Sequence, residues 1–142
     1  MLIIKHTITT SASPETIWSI WKDIQHWHTW DNVTESYHLN GPFQTGTTGQ
    51  WKPKNGPVVE ITLTQVEPLK AYVGECKLFL ARLISSHFLS TSNGKTQVTQ
   101  QFEIKGPLAF LFAYHLGPKL KKDLVLEMES LKGKAESSSR TY

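Results

Sequence analysis

The segment from Gly106 to about Lys132 constrains this chain most, because it changes character halfway along. Pro107 stands where a helix starts, since the first turn does not need its missing N–H. Leu108, Ala109, Phe110, Leu111, Phe112, Ala113, Tyr114 and Leu116 then make the head of the helix apolar almost all round. From Lys119 onward only Leu120, Leu124, Met128 and Leu131 recur at helical spacing, with Lys121, Lys122, Asp123, Glu127 and Glu129 between them. That is one buried stripe on a wet helix. Gly117-Pro118 lies at the junction, and an internal proline predicts a kink or break there. Something hydrophobic must lie beside the head of the helix: a second layer of the same protein, a partner, or an apolar ligand.

The rest of the chain supplies the second layer. Ile4, His6 and Ile8 alternate with Lys5, Thr7 and Thr9 as in a strand. Ser13-Pro14-Glu15 is a helix start, and Ile17, Ile20, Trp21 and Ile24 share the face that follows. His26–Asp31 reads as a second short helix or turn. Between Asn32 and Lys105, turn residues at Gly41-Pro42, Gly46, Lys54-Asn55-Gly56-Pro57, Pro68 and Asn93-Gly94 recur about every ten residues, which implies an antiparallel meander of about six strands. Such a sheet must cover one face. Only the C-terminal helix, about 40 Å long at 1.5 Å per residue, is long enough to do so. A curved sheet wrapped around it leaves a cavity between the two.

At 142 residues the chain is one domain, expected over residues 1–133, with a Ser-rich disordered tail over 134–142. No run approaches the roughly 18 apolar residues of a membrane span, and no basic leader followed by a long apolar core opens the sequence, so neither a transmembrane segment nor a signal peptide is expected. The single Cys76 excludes an internal disulfide and fits a reducing compartment, so a cytoplasmic location is expected. Net charge is +3, but only Arg82 and Arg140 are arginines, and no cluster suited to nucleic acid exists. Lys119, Lys121 and Lys122 form the one basic knot, read as a solvated helix face or a site of attraction to an anionic surface.

Several segments in this order carry a resemblance: Ser13-Pro14-Glu15-Thr16-Ile17-Trp18, His26-Trp27-His28-Thr29-Trp30-Asp31, Gly41-Pro42-Phe43 with Gly46, Lys52–Pro57, Gly94–Thr99, and Gly106-Pro107-Leu108-Ala109 leading into Leu116–Leu124. Over about residues 2–135 the chain resembles the START-like (SRPBCC) helix-grip superfamily, nearest its polyketide cyclase/dehydrase-like branch. The resemblance implies an α+β helix-grip fold, a curved seven-stranded antiparallel sheet with two short helices wrapped around a long C-terminal helix; no cofactor is expected. Members include cyclases, lipid carriers, hormone receptors and chaperone regulators, so fold does not decide function.

The Asn93-Gly94 pair favours a two-residue hairpin turn. Counting back from it sets Leu89 opposite Val98 and His87 opposite Gln100, both pointing inward with Phe102 and Ile104. A buried polar pair must find hydrogen bonds or cost about 1–3 kcal/mol. His87 and Gln100 therefore bond each other, orient a ligand, or, for His87, carry a proton in catalysis. Under the resemblance, Phe110, Leu111 and Tyr114 line the floor of the cavity or serve as plain helix–sheet core. Trp30 stands at its mouth or packs in the core, and Trp51 and Tyr72 are further ligand-binding candidates on strands of unfixed facing. His26, His28 and Asp31 could suggest a metal, but no third strong ligand is placed and no metal site is assigned. No Ser/His/Asp order, phosphate loop or dinucleotide fingerprint appears.

The leading expectation is binding or carriage of a small hydrophobic molecule, a lipid, aromatic or polyketide-like compound, oriented by His87, Gln100 and Tyr114. The alternatives are a cyclase or dehydratase of a carbonyl-rich substrate, and an interaction module without ligand. Oligomeric state is left open.

Overall fold

The computed structural model describes the backbone of residues 2–139. Seven strands, β1 (Leu2–Thr10), β2 (Thr34–Leu39), β3 (Thr48–Pro53), β4 (Val59–Glu67), β5 (Ala71–Leu78), β6 (Ala81–Ser92) and β7 (Lys95–Lys105), form one antiparallel sheet in the order β1-β7-β6-β5-β4-β3-β2. Between β1 and β2 lie α1 (Pro14–Lys22) and a 3-10 helix (Ile24–Thr29), and α2 (Ala109–Ser139) closes the chain. This is the curved sheet, short helices and long C-terminal helix of the helix-grip fold.

Local chemistry explains each piece. Ser13 caps α1 by accepting from Thr16 N at 3.2 Å, with Pro14 in the first turn. The Asn93-Gly94 turn has positive φ at both residues (54° and 75°), as a tight hairpin requires. It sets the expected register, with Ser92 opposite Lys95, Leu89 opposite Val98 and His87 opposite Gln100. The inner face carries Ile8, Ile61, Leu63, Tyr72, Leu83, Val98 and Ile104, all buried. Register shifts in β2 (Thr34/Ser36) and β4 (Leu63/Gln65) help the sheet bend.

The helix α2 runs through Pro118 without a break. Of the expected stripe Leu124, Met128 and Leu131 are buried and Leu120 is half-buried, Ala109 is buried at the head of the helix, and the stripe does not stop at Lys132. Ala135 is buried one turn further on, and Glu136 Oε2 accepts a 2.8 Å hydrogen bond from Thr10 Oγ1 at the end of β1. The expected disordered tail from residue 134 is therefore corrected: residues 134–139 are helix, because the small Ala135 extends the apolar stripe onto the rest of the core. Residues 140–142 lie outside the described residues.

No helix among the described residues is long and apolar enough to cross a membrane.

Candidate functional site

The centre of the sheet's inner face holds a ring cluster. Tyr72 on β5 and His87 on β6 stand directly opposite each other. Trp21 of α1 sets its edge against both, at centroid distances of 5.2 and 5.3 Å, and Phe43 lies 5.1 Å from Tyr72. This packing leaves two buried polar atoms without a hydrogen-bond partner among the described residues, the Tyr72 hydroxyl and His87 Nδ1. Burial lowers the His87 pKa to about 3, with backbone groups of Tyr72 and Ser85 acting weakly against it. His87 is a neutral imidazole at ordinary pH.

His87 belongs to a row. Across the ladder, His6 on β1 faces Gln100 on β7, Gln100 faces His87, His87 faces Tyr72, and Tyr72 faces Val66 on β4. Directly opposed residues share a face, so His6, Gln100, His87 and Tyr72 form one transverse polar line on an otherwise apolar inner surface. Gln100 is buried, and it lies close enough to Glu127, which reaches over from α2, to favour that carboxyl's charged form. The expected His87–Gln100 pair shares the register but not a hydrogen bond.

Two carboxyls complete the cluster. Burial first, then the nearby Asp31, raises the Glu127 pKa well above the usual carboxylate range, against the opposing bond from Gln100. Burial likewise raises Asp31. Asp31 Oδ2 accepts from Thr34 Oγ1 at 2.6 Å and Oδ1 from Val33 N at 2.9 Å, and Trp51 Nε1 donates to Thr34 Oγ1 at 3.0 Å. A hydrogen-bond chain thus runs from the Trp51 indole through Thr34 to Asp31. Burial also raises the phenols of Tyr37 and Tyr72, and Glu127 reinforces both shifts.

At the β1 edge of the sheet the line opens into a recess. A groove of about 640 Å³ lies between β1 and α2, with Ile4 and His6 on one wall and Ala113, Gly117, Pro118 and Leu124 on the other. Lys5 and Lys121 stand at its rim. A smaller recess of about 210 Å³ is lined by Ile20, Asp23, His26, Thr29, Trp30 and Lys134.

The expected site residues therefore separate. Tyr72, His87 and Gln100 come together at the centre, Trp51 faces inward beside Tyr37, and Trp30 borders the smaller recess while packing on Trp27. Phe110, Leu111 and Tyr114 do not line a cavity floor: all three are exposed. On a helix Ala109, Phe112 and Ala113 take the sheet-facing side, and the residues between them must point away. The sheet-facing side of the helix head packs on Ile61, Cys76, Ala81, Leu83 and Ile104, and the groove lies at the β1 edge, with Ala113 on its wall.

His26 bonds Asp23 at 2.8 Å on the surface while Asp31 is buried elsewhere, and no group of three metal-ligating side chains converges among the described residues. Three residues of this cluster and its groove were not foreseen as site candidates. Glu127 reads in the sequence as part of the wet face of its helix, His6 as one residue of an alternating strand, and Asp31 only as a metal ligand. The one sequence signal for Glu127 is its place beside Met128 on the buried stripe.

Solved structures show the same fold. DynU16, a protein of the dynemicin biosynthetic locus, superposes with TM-score 0.75 at 16% identity over 96% of this chain, which spans only 48% of that longer protein. The Zhui aromatase/cyclase from a Streptomyces species gives 0.76 at 14% identity, covering 99% of this chain and 96% of that one. Norcoclaurine synthase from Thalictrum flavum, in complex with dopamine and hydroxybenzaldehyde, gives 0.71 at 13% identity, covering 96% and 87%. No curated protein matches the chain by sequence at a significant level. The sequence model of one family, described as polyketide cyclase / dehydrase and lipid transport, matches residues 1–136. With nearly its whole length matched and its helix-grip architecture in place, the chain belongs to the polyketide cyclase/dehydrase and lipid transport family.

Proposed function

We propose that the protein binds a small hydrophobic molecule carrying a carbonyl or hydroxyl at one end. The apolar body occupies the groove between β1 and α2, and the polar end is directed along the line His6–Gln100–His87. The observation that carries this reading is the continuity of the two: the wall of the 640 Å³ groove includes His6, which stands directly opposite the buried Gln100. The volume falls within the roughly 300–1,000 Å³ of small-molecule sites, which combine apolar walls with few polar groups. Burial of the apolar body supplies affinity at about 25 cal/mol per Å² before the costs of association. Neutral His87 and Gln100, and Glu127 in the protonated form that its burial favours, supply donors for an oxygen on the ligand.

A second reading, a cyclase or dehydratase, has one observation in its favour. Glu127, kept protonated by its surroundings, is a carboxylic acid able to give a proton to a carbonyl oxygen. The base such chemistry needs is the weaker half: a histidine with a pKa near 3 takes up protons poorly at neutral pH. Binding is therefore favoured. The aromatic compounds named for norcoclaurine synthase and the aromatase/cyclase activity named for Zhui agree with an aromatic, oxygen-bearing ligand class.

Native mass spectrometry of the purified protein, followed by organic extraction, tests for a carried compound. Titration with a hydroxyanthraquinone, followed by tryptophan quenching, provides a defined probe. The exposed Val125 lines the groove, and Val125→Trp narrows it without touching the core. The reading expects at least about tenfold weaker probe binding in that variant. Probe binding unchanged by Val125→Trp, or absent together with a clean apo mass, would overturn it.

A further inference from the structure

The hairpin between β5 and β6 turns on Phe79 and Leu80, two large apolar residues at positions where Asn and Gly are favoured. Leu80 adopts φ +52°, a left-handed conformation that bulky residues avoid. Neither side chain repays this by packing: Phe79 is 74% exposed and Leu80 56%. The turn is pinned to the start of α2. Leu108 N donates to Leu80 O at 3.1 Å, and Gly106, at φ +118°, lies so close that a Cβ there would sit 2.8 Å from both Ala81 Cα and Leu80 O. Over the two turns that follow Leu108, α2 presents Phe110 (68% exposed), Leu111 (43%) and Tyr114 (78%). Five large apolar side chains are thus held exposed at one end of the molecule, by a turn that is conformationally costly and a glycine that admits no side chain.

Immediately behind this tip, on the outer face of the sheet, Lys77, Arg82 and Lys105 stand in line across β5, β6 and β7. Like charges directly opposed on neighbouring strands repel. Glu75 pairs with Arg82 at 3.0 Å and Glu103 with Lys105 at 3.6 Å, while Lys77 has no ion pair among the described residues. No Asp or Glu occurs between Lys77 and Arg82 or between Ile104 and Lys122. Lys121 and Lys122 follow Tyr114 by seven and eight residues, on the same side of the helix two turns further along.

An apolar, aromatic-bearing tip backed by cations is the chemistry of a bilayer interface, where apolar side chains enter the acyl boundary and Lys or Arg meets headgroup phosphates. We propose that this end of the protein docks onto an anionic phospholipid membrane, with Phe79, Leu80, Phe110, Leu111 and Tyr114 inserted and the Lys77–Arg82–Lys105 row against the phosphates. This docking does not depend on the ligand groove.

Co-sedimentation of the full chain with vesicles of phosphatidylcholine plus phosphatidylserine, against vesicles of phosphatidylcholine alone, tests the proposal. Binding is expected to the anionic vesicles and to fall as salt screens the cations. Phe79→Ser should reduce it by at least about tenfold and Lys77→Gln by about fivefold. Both positions are exposed, so near-ultraviolet circular dichroism should match wild type, and Val125→Trp should keep vesicle binding. Absence of wild-type binding, or equal binding by all variants, overturns the proposal. So does a concentration-dependent dimer, dispersed by Phe79→Ser, in a protein that ignores vesicles, because the tip would then be a contact between copies.

Discussion

The imidazole of His87 lies flat on the phenol ring of Tyr72, with ring centroids 4.0 Å apart and planes 7° from parallel. The two residues face each other across β5 and β6, and Trp21 closes over both. The Tyr72 hydroxyl and His87 Nδ1 are both buried, and neither has a hydrogen-bond partner among the described residues.

His87 should make stability depend on pH. Its pKa falls from 6.5 in the unfolded chain to about 3 in the fold. Between those values the unfolded chain holds a proton that the folded one does not, so stability is complete above 6.5 and is lost as pH falls, at up to about 1.4 kcal/mol per pH unit. Glu127 acts with the opposite sign. Its pKa is raised above 4.5, so the fold keeps a proton the unfolded chain has released, and stability falls as pH rises from 4.5. The two slopes oppose between 4.5 and 6.5. Asp31, also raised by burial, acts in the same sense as Glu127, so across that window Glu127→Gln should make the slope more positive with pH than in wild type, and His87→Phe should make it more negative. Urea unfolding at a series of pH values checks both.

Tyr72→Phe should be neutral or stabilising by about 1 kcal/mol, although the residue is buried. The substitution removes a hydroxyl that has lost water without gaining a partner, and leaves the ring contacts in place. Destabilisation beyond about 1 kcal/mol in urea would mean the hydroxyl has a partner in solution, such as an ordered water.

Thr34→Val should cost about 2–3 kcal/mol while keeping the side chain's shape. It strands the Trp51 indole N–H and removes one donor from the buried Asp31 carboxyl together. Thermal unfolding should show the loss, and an Asp31→Asn/Thr34→Val double variant should lose less than the sum of the two single changes, because the groups share one chain.

Cys76 should be silent toward thiol reagents in the native state. It is buried, and burial pushes its pKa up to about 12, so little thiolate exists to react. Modification by a chromogenic disulfide should proceed only at the rate of unfolding, and fast labelling of folded protein would contradict the packing of β5.

Much of the fold was legible because it rests on local rules. Asn93-Gly94 set the β6–β7 register, and with it the facing of His87 and Gln100, since turn geometry fixes a hairpin's pairing. The head of α2 was misread for a physical reason. Periodicity shows which residues are apolar, but Phe110, Leu111 and Tyr114 are apolar on a side that meets nothing in this chain. Glu127 was illegible for the converse reason: its neighbours in sequence are those of a solvated helix, and only Gln100 and Asp31, brought close by the tertiary fold, make it a site. The tail was misjudged because the Ser-rich sequence outweighed the single Ala135 that docks it.

The order of the strands also sets a timetable. Strands β2 to β7 each pair with a neighbour in sequence, whereas β1 pairs with β7, Thr10 opposite Thr96 and Leu2 opposite Ile104. The meander can zip up through short turns, but β1 must close a loop of roughly 90 residues or more, at an entropic cost of about (3/2)RT ln n. Long-range pairings of this kind form late. As an edge strand, β1 also has a ladder on one side only, and its amides are expected to exchange with solvent before those of β6 and β7. The groove that β1 walls is then the last part of the molecule to be assembled, and its wall is one of the two sheet edges expected to loosen first.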